Sequence, residues 1–527
     1  MSKLDKIDYP KICDILFLVI IAAAVVHVVA VWLTGRSLWV DEAMLIKSVV
    51  TRDFAGICRG NLDYYQSAPV GYLLAVKAVV CALGDGELQL RLVSVLAYFG
   101  TVALTYLVAR RTLGLRFPLM PTAFVAAYPT VLHFAFEAKP YMGEVFCGLA
   151  VVYLYTLYRS GRLSAWWTFA IISVSLWFAF GALFIIGAIC IYHFINICVK
   201  LKRGHITAPA FWRQSLPLLL PAASVVLYYL LWVLPSTANT PPAEEDNYWT
   251  FLSFPLIPKG ASDLRLLRLM AGEVFSRVGS YCIVAYGVGL LVTLVGRFRT
   301  WPVLCFLLSA VLVAVISSLG MYPISERLLL FEVVMCSLLA ISGLDRLVQH
   351  LPQGCLGAAQ AAIIAVLPVL LNSGDAFRMT DADRHRMRQE FVACREYVGS
   401  VRKPGSRIFV TSIQRPVAQY YTGYRMNTDR HDPRILVDDE YIWGSKFRDM
   451  RGTEPYQYRY ELDSAAVMRN LAVIRRYPEV FVMAIHSENG TLDQFVGMAG
   501  QQGFNVETVA TVYGSGIYRL TPAARAD

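Results

Sequence analysis

The sequence is poor in charge for its length. Only 16% of its 527 residues are Asp, Glu, Lys or Arg, and 56% are hydrophobic, whereas a soluble chain carries about 25% charged residues. The shortage falls within residues 1–372, where apolar runs follow one another with short breaks. Residues 373–527 have the mixed composition of an ordinary globular domain. We therefore predict a polytopic all-α membrane domain over 1–372 and a small soluble α/β domain over 373–527.

Several signals for other kinds of site are missing. The 11 cysteines include no CxxC pair, so neither a zinc site nor a disulfide framework is indicated. No phosphate-binding loop and no internal repeat is found, and His27, His133 and His193 are scattered on apolar stretches that favour buried, hydrogen-bonded side chains. We expect no cofactor and no metal. The net charge of +10 does not require nucleic acid, because basic residues gather at the cytoplasmic ends of membrane spans and meet anionic lipids.

Eleven apolar runs are predicted to cross the membrane, since a span needs roughly 20 apolar residues. Lys3, Lys6 and Lys11 precede the first run, which places the N-terminus in the cytoplasm and the C-terminal domain outside, in the periplasm or beyond a bacterial inner membrane. The short inner loops then carry basic residues, among them Arg297, Arg299 and Arg346. The runs lie near 13–34, 88–109, 117–135, 140–158, 163–179, 181–199, 214–234, 279–296, 301–320, 327–344 and 355–372.

The apolar run Pro69–Leu83 is assigned differently. It has only 15 residues, with Lys77 near its middle, and a lysine at mid-membrane depth costs several kcal/mol. We predict a helix that lies in the membrane interface.

Two adjacent carboxylates follow the first span on the predicted outer face. Residues 37–43 read SLWVDEA, with the acids at Asp41 and Glu42. A carboxylate beside an apolar wall keeps a raised pKa and accepts a proton from a hydroxyl. The alternative is a solvated loop acid or a helix cap.

Four sequence blocks resemble the GT-C superfamily of membrane glycosyltransferases, in particular protein mannosyltransferases and lipid A aminoarabinose transferases. They are the acidic motif WVDE at 39–42, QSAPVGYL at 66–73, LGDGELQLRL at 83–92 and EAKPY at 137–141. The resemblance is specific over about 35–145, weaker over 146–372, and absent after 373. The chain departs from the family at Gln66–Pro69, where His-Pro-Pro is frequent, and at Lys139, where Arg is more usual.

The resemblance implies a transferase that moves a sugar from a polyprenyl-phosphate donor to an acceptor hydroxyl with inversion. Asp41 is the implied base, with Glu42 beside it, and Glu137 is the implied second acid, with Glu144 as its competitor. Lys139 and Arg327 are the cations expected to meet the leaving phosphate. The donor site is completed by side chains from the other motifs, Gln66, Arg91 and Tyr141.

Each assignment has a rival. Lys139 could reach lipid headgroups, and Arg327 could pair with Glu326 or Glu332. Glu144 and Glu332 lie within predicted spans, where acids are functional suspects. The whole protein could instead be a glycolipid transporter or a noncatalytic glycolipid-binding protein, although transporters often carry internal repeats. The expected partners are the lipid-linked donor, membrane lipids and a glycan, lipid or protein acceptor.

Two further segments carry weaker predictions. The outer loop at about 235–277 contains paired prolines, three acids at 244–246 and Tyr248-Trp249, and it could cover the site as a lid or serve as a structural cap. In the tail, Tyr420–Arg425 is rich in aromatic residues, and we favour packing against the membrane domain over glycan contact for it.

Overall fold

The chain folds into two compact units in a computed structural model. The first comprises Met1–Thr34, Arg52–Asn61 and Ala68–Thr380, and the second Gly35–Thr51, Leu62–Ser67 and Asp381–Asp527. The structure describes residues 8–235, 260, 264, 268, 280–297, 299–352, 354–374, 377, 391–423, 434–445, 463–484, 491–512 and 515–523. The segment with the acidic motif thus groups with the tail, which the sequence did not indicate. The predicted boundary at 372/373 stays a prediction.

The described part of the first unit is helical. Helices cover the eleven predicted spans, and the predicted interfacial segment is helix α4. The helices are α1 (Tyr9–Trp32), α3 (Phe54–Cys58), α4 (Val70–Leu83), α5 (Glu87–Leu107, with a π turn Val108–Thr112), α6 (Leu119–Ala126), α7 (Pro129–Ala135), α8 (Tyr141–Arg159), α9 (Ala165–Phe178), α10 (Ala182–Lys202), α11 (Ala208–Ser215), α12 (Leu219–Tyr228, with a π turn Tyr229–Val233), α13 (Ser280–Arg297), α14 (Trp301–Ser318), α15 (Leu330–Gln349) and α16 (Cys355–Ala361, with a π turn Ala362–Val366). Helix α2 (Val40–Thr51) belongs to the second unit.

Seven helical stretches among the described residues are long and apolar enough to cross a membrane. They are Tyr9–Leu33, Glu87–Thr112, Tyr141–Arg159, Ala182–Lys202, Ala208–Val233, Trp301–Ser318 and Cys355–Gly374. The helices at the four other predicted spans are too short or too charged to meet that description. One span is split into α6 and α7, α9 has 14 residues, and α13 has a short apolar stretch. Helix α15 is long enough but contains Glu332, Asp345 and Arg346. The direction in which each helix crosses stays a prediction.

The predicted span at 117–135 is broken into α6 and α7. Pro129 begins α7 and has no N–H to donate, so carbonyls at the end of α6 need other partners. The Asn372 side chain donates to the carbonyl oxygens of Phe124 at 3.3 Å and Ala127 at 3.0 Å, and the Tyr98 hydroxyl donates to Ala126 at 3.0 Å. Such bonds allow irregular backbone within a membrane protein, where an unpaired carbonyl costs several kcal/mol.

Helices α13 and α15 pack at backbone distance. A Cβ added at Gly343 would lie 1.8 Å from the carbonyl oxygen of Gly289, so neither helix tolerates a side chain at this crossing. One turn further along α13, the Thr293 hydroxyl donates to the Leu339 carbonyl at 2.6 Å. Small residues and interhelical hydrogen bonds of this kind hold membrane helices together where the hydrophobic effect does not.

The tail of the second unit is an α/β domain, as predicted. Its six strands lie in the order β2-β3-β1-β4-β6-β5, with β1 parallel to β3 and β4 and the remaining pairs antiparallel. The strands are β1 (Arg407–Val410), β2 (Leu436–Val437), β3 (Tyr441–Trp443), β4 (Val480–Ala484), β5 (Phe504–Val512) and β6 (Ser515–Pro522), and the helices are α17 (Phe391–Val401), α18 (Arg415–Thr422), α19 (Ser464–Ile474) and α20 (Thr491–Gln501).

The hydrophobic core of this domain joins the sheet to α19 and α20. Phe409 of β1 stacks on Phe495 of α20 with ring centroids 5.7 Å apart, and Val467 and Leu471 of α19 belong to the same cluster. The sequence pattern predicts strands at 407–411, 480–485, 506–512 and 516–520 and helices at about 381–399, 414–422, 464–476 and 491–502, and each has a counterpart within a few residues where the structure describes it. The two short strands β2 and β3 were not predicted, and residues 381–390 of the first predicted tail helix lie outside the described residues.

Candidate functional site

The acidic motif forms the start of α2. The Trp39 carbonyl accepts the first helical hydrogen bond, from Ala43 N–H at 2.9 Å, so Trp39 is the N-cap residue. Glu42 reaches back, and its Oε2 accepts from the Trp39 N–H at 3.1 Å. This is the carboxylate half of a capping box. Glu42 is fully buried, whereas Asp41 in the same helical turn is half-buried. The two acids therefore differ, because one Glu42 oxygen holds the helix start.

The tail holds α2 within the second unit. The Tyr421 hydroxyl of α18 accepts a hydrogen bond from the Leu38 N–H at 2.7 Å. Two residues earlier on α18, the Gln419 Oε1 accepts from the Tyr64 hydroxyl and from Lys47 Nζ at 3.5 Å. Lys47 also lies over the Tyr64 ring, 5.2 Å from its centroid, and burial lowers the pKa of its ammonium. The backbone before Asp41 is thus tied to a helix more than 370 residues away.

Gln66 lies in the same unit and contacts α2. Its Nε2 is 3.6 Å from the Sδ of Met44, a weak acceptor. Tyr421 belongs to the aromatic segment of the tail, and its hydroxyl bonds to Leu38 within the second unit. Packing of that segment against the membrane domain stays a prediction. Tyr424 and Arg425 of that segment lie outside the described residues.

In the first unit, the segment between α7 and α8 buries two opposite charges. The exposed fractions are 2% for Glu137 and 4% for Lys139. The Lys139 N–H donates to the Glu137 carbonyl at 2.8 Å, which closes a tight turn. His133 Nε2 lies 3.1 Å from Glu137 Oε1. A buried carboxylate is tolerated only with such a partner, and the turn fixes the backbone of Lys139.

Helices α4 and α5 fix the other side of this turn. The Ser94 hydroxyl donates to the Lys139 carbonyl at 3.0 Å, and the Tyr72 hydroxyl lies 3.4 Å from the Ser94 oxygen. Arg91 lies one turn before Ser94 on α5 and is almost fully buried. Tyr141, the first residue of α8, packs its ring edge-on against Phe134 at 4.8 Å. The motif that contains Lys139 therefore contacts the helix that carries Arg91, and the role of both residues in a donor site stays a prediction.

The segment that carries Arg327 is attached to α7. Glu326 accepts a hydrogen bond from the Thr130 hydroxyl, and Tyr322 closes the loop by donating to the Leu328 carbonyl at 2.9 Å. Thr130 and His133 lie one turn apart on α7. Through them this short helix contacts Glu326, which precedes Arg327, and Glu137, which lies two residues before Lys139. Arg327 itself is half-buried.

The other buried acids of the first unit have hydrogen-bond partners. Glu332 on α15 accepts from the Ser309 hydroxyl at 2.8 Å. Glu144 on α8 accepts from the backbone N–H groups of Phe180 and Gly181, just before α10. Both contacts are consistent with a structural role.

The histidines have ordinary neighbours. His193 lies 3.2 Å from both the Tyr155 hydroxyl and the Gln214 carbonyl, and His27 packs against Phe377. Within the described ranges, no group of three His, Cys, Asp or Glu side chains has the arrangement of a metal site. The loop predicted as a lid lies outside the described residues, apart from Pro235, Gly260, Leu264 and Arg268.

The predicted site residues divide between the two units. Asp41, Glu42 and Gln66 lie in the second, and their meeting with the residues of the first stays a prediction. The residues of the first unit are Arg91, Glu137, Lys139, Tyr141 and Arg327. Sequence reasoning missed three supporting side chains, Thr130, His133 and Ser94. The four-residue spacing of His133 and Glu137 could have revealed one contact, while the hydroxyls carry no comparable signal.

Solved structures provide the comparison. A crystal structure of ArnT from Cupriavidus metallidurans bound to undecaprenyl phosphate matches with a TM-score of 0.50 and 12% identity, over 95% of this chain and 97% of that chain. The apo form of the same ArnT matches with a TM-score of 0.48, 12% identity and the same coverage. The apo oligosaccharyltransferase of Archaeoglobus fulgidus matches with a TM-score of 0.45 and 11% identity, over 77% of this chain and 63% of that chain.

No protein-family model and no curated protein matches the sequence. At 12% identity the likeness to ArnT, an aminoarabinose transferase, is a likeness of fold. It covers the helical unit and the tail together. The predicted architecture is confirmed: the chain is a multi-pass membrane protein with a fold similar to that of ArnT.

Proposed function

We propose that the protein transfers a sugar from a polyprenyl-phosphate donor to an acceptor hydroxyl at the outer face of the membrane, with inversion. Asp41 takes the proton of the acceptor hydroxyl as its oxygen attacks the anomeric carbon. A new carbon–oxygen bond forms, and the bond from the anomeric carbon to the phosphate oxygen breaks. The electron pair of that bond leaves with the lipid phosphate, which meets Lys139 and Arg327.

The observation that carries this proposal is the pair of buried charges in the turn between α7 and α8 of a GT-C fold. His133 of α7 contacts the Glu137 carboxylate, and Ser94 of α5 bonds to the backbone carbonyl of Lys139, at a helix boundary. A cation fixed before the reaction stabilises a developing phosphate charge without reorganisation. The ArnT of similar fold binds undecaprenyl phosphate, which supports a lipid phosphate as the leaving group here.

Asp41 is the favoured base because it is the more accessible of the two acids. Glu42 caps α2 through Trp39, whereas Asp41 is half-buried in the same turn. In this proposal the capping contact fixes the helix start and so orients Asp41 toward the acceptor. Glu137 would orient the acceptor or support the base from the first unit.

The test uses membranes that contain the full chain, a panel of labelled undecaprenyl-phosphate sugars, and acceptor lipid, glycan and protein fractions. We expect transfer from one donor, and Asp41→Asn should abolish it. The matched control is Asp439→Asn, an exposed aspartate of the same unit, which should retain full transfer. Full activity of Asp41→Asn would refute the base assignment. Movement of a labelled glycolipid across proteoliposomes without transfer would favour a transporter instead.

A further inference from the structure

A pair of arginines lies at the end of the first unit where α13 and α15 finish. Arg297 is the last residue of α13, and Arg346 lies near the end of α15. Both side chains are half-buried. They are close enough for their positive charges to interact unfavourably. Long basic side chains at helix ends usually extend into water, so a half-buried pair needs an explanation.

The position of Arg346 is built into the packing of the two helices. A Cβ added at Gly296 would lie 1.7 Å from the Arg346 Nη1 and 2.8 Å from its Cζ. The guanidinium therefore fills the space that a side chain at position 296 would need, directly beside Arg297. This placement differs from a flexible arginine that reaches outward.

The nearby carboxylate of Asp345 attracts Arg297, but hydrogen bonds from other groups occupy its oxygens. Asp345 is fully buried and accepts from the Phe117 N–H at 2.8 Å, the Arg116 N–H at 3.3 Å and the Gln349 amide at 2.5 Å. Its oxygens are thus used to fix the turn between α5 and α6.

The two guanidinium groups retain unused donors. Arg297 donates to the Leu113 carbonyl at the end of α5. The Arg346 guanidinium forms no hydrogen bond or ion pair with any residue that the structure describes. Since a guanidinium carries five N–H donors and planar geometry suited to phosphate, the pair has the chemistry of an anion site.

Helix α13, which ends at Arg297, has an exposed apolar face. Val284, Val288, Leu291 and Val295 share this side of the helix, with Val295 reaching 82% exposure. The last of them, Val295, lies two residues before Arg297 at the same end of α13. An anion that fits both features has a phosphate head and hydrocarbon chains.

We propose that Arg297 and Arg346 bind the phosphate of an anionic phospholipid whose acyl chains lie along the exposed face of α13. Basic pockets between membrane helices bind such headgroups at the cytoplasmic side. The sequence predicts that this end of the bundle is cytoplasmic. The site is separate from the proposed transferase residues and does not depend on them.

The experiment uses the full chain, purified in detergent and mixed with either phosphatidylglycerol or phosphatidylcholine. Native mass spectrometry measures the retained lipid. We expect preferential retention of phosphatidylglycerol, and a loss of about tenfold in its affinity for Arg346→Gln, the effect of removing a charge-assisted contact. Arg299→Gln is the matched control, because Arg299 is exposed at the same end of the bundle. It should bind as the unchanged protein does.

A second variant guards against misfolding. Arg346→Lys keeps the charge but loses the planar donors, so it should retain the lipid preference with weaker binding. Thermal unfolding without added lipid establishes that each variant is folded. Equal losses for Arg346→Gln and Arg299→Gln, or equal retention of the two lipids, would overturn the proposal. Equal stabilisation by inorganic phosphate and phosphatidylglycerol would overturn it too, because it would identify a site for a soluble anion.

Discussion

The hydroxyl of Tyr421 accepts a hydrogen bond from the backbone N–H of Leu38 at 2.7 Å, three residues before Asp41. The Tyr421→Phe variant removes this acceptor from a partly buried N–H. We expect a loss of about 1 kcal/mol in the stability of the second unit. Transfer should also fall, because the start of α2 would be less well fixed. Thermal unfolding and the transfer assay measure the two effects.

The control for Tyr421→Phe is Tyr397→Phe. Tyr397 is 42% exposed, and its hydroxyl has no hydrogen bond to the part of the chain that is described. Its replacement should change neither stability nor transfer. A Tyr421→Phe protein with unchanged kcat would show that this hydrogen bond does not position the acidic motif.

Substitutions of Asp41 and Glu42 should have different effects on stability and transfer. Gln serves as well as Glu at the third position of a capping box, so Glu42→Gln should keep α2 and most of the transfer activity. Glu42→Ala loses the cap and should lower stability by about 1 kcal/mol. Asp41→Asn should leave stability unchanged and abolish transfer. A kcat for Glu42→Gln as low as that of Asp41→Asn would assign catalysis to Glu42.

The buried Glu137 carboxylate should need His133 for both stability and transfer. The His133→Ala variant removes the partner 3.1 Å from a buried carboxylate, and hydrogen bonds to charged groups contribute about 1.5–3 kcal/mol. We expect a loss of stability of that order and a strong loss of transfer, with partial recovery in His133→Gln. The exposed His205→Ala serves as control. Normal stability and activity of His133→Ala would remove His133 from the site.

The break between α6 and α7 should depend on Asn372. Asn372→Leu leaves the Phe124 and Ala127 carbonyls without that donor, at a cost of about 1–3 kcal/mol for buried polar groups. The melting temperature in detergent should fall. Asn196→Ala, whose side chain has no hydrogen bond to described residues, should not lower it. Equal melting temperatures would mean that another group satisfies these carbonyls.

Much of the architecture was predictable because long apolar runs and alternating strand and helix patterns are strong local signals. Ten of the eleven predicted spans coincide with helical stretches, the span at 117–135 is divided between α6 and α7, and Val70–Leu83 is the helix expected for the short run with Lys77. Strands β2 and β3 were missed because segments of two or three residues are too short to show the alternation of apolar and polar residues that predicts a strand. The break at Pro129 was missed because the flanking sequence is uniformly apolar.

The site was predictable where motif and chemistry coincide. Arg91, Lys139 and Tyr141 came from the motifs, and the contact from Ser94 to the Lys139 turn unites two of these motifs. The support from Thr130 and Tyr421 could not be read from the sequence, since a lone hydroxyl gives no indication of its partner. The Arg346 contact depends on Gly296, and the crossing of two distant helices decides it.

The second unit is assembled from pieces far apart in the sequence: Gly35–Thr51, Leu62–Ser67 and the tail. No single cut can therefore divide this protein into two self-sufficient polypeptides. A truncation after Thr380 would remove α18, the helix to which α2 is bonded. The tail expressed alone would lack α2 and the segment Leu62–Ser67, which belong to the same unit. Engineers who wish to study either half must graft the early segments onto the tail or keep the polypeptide whole.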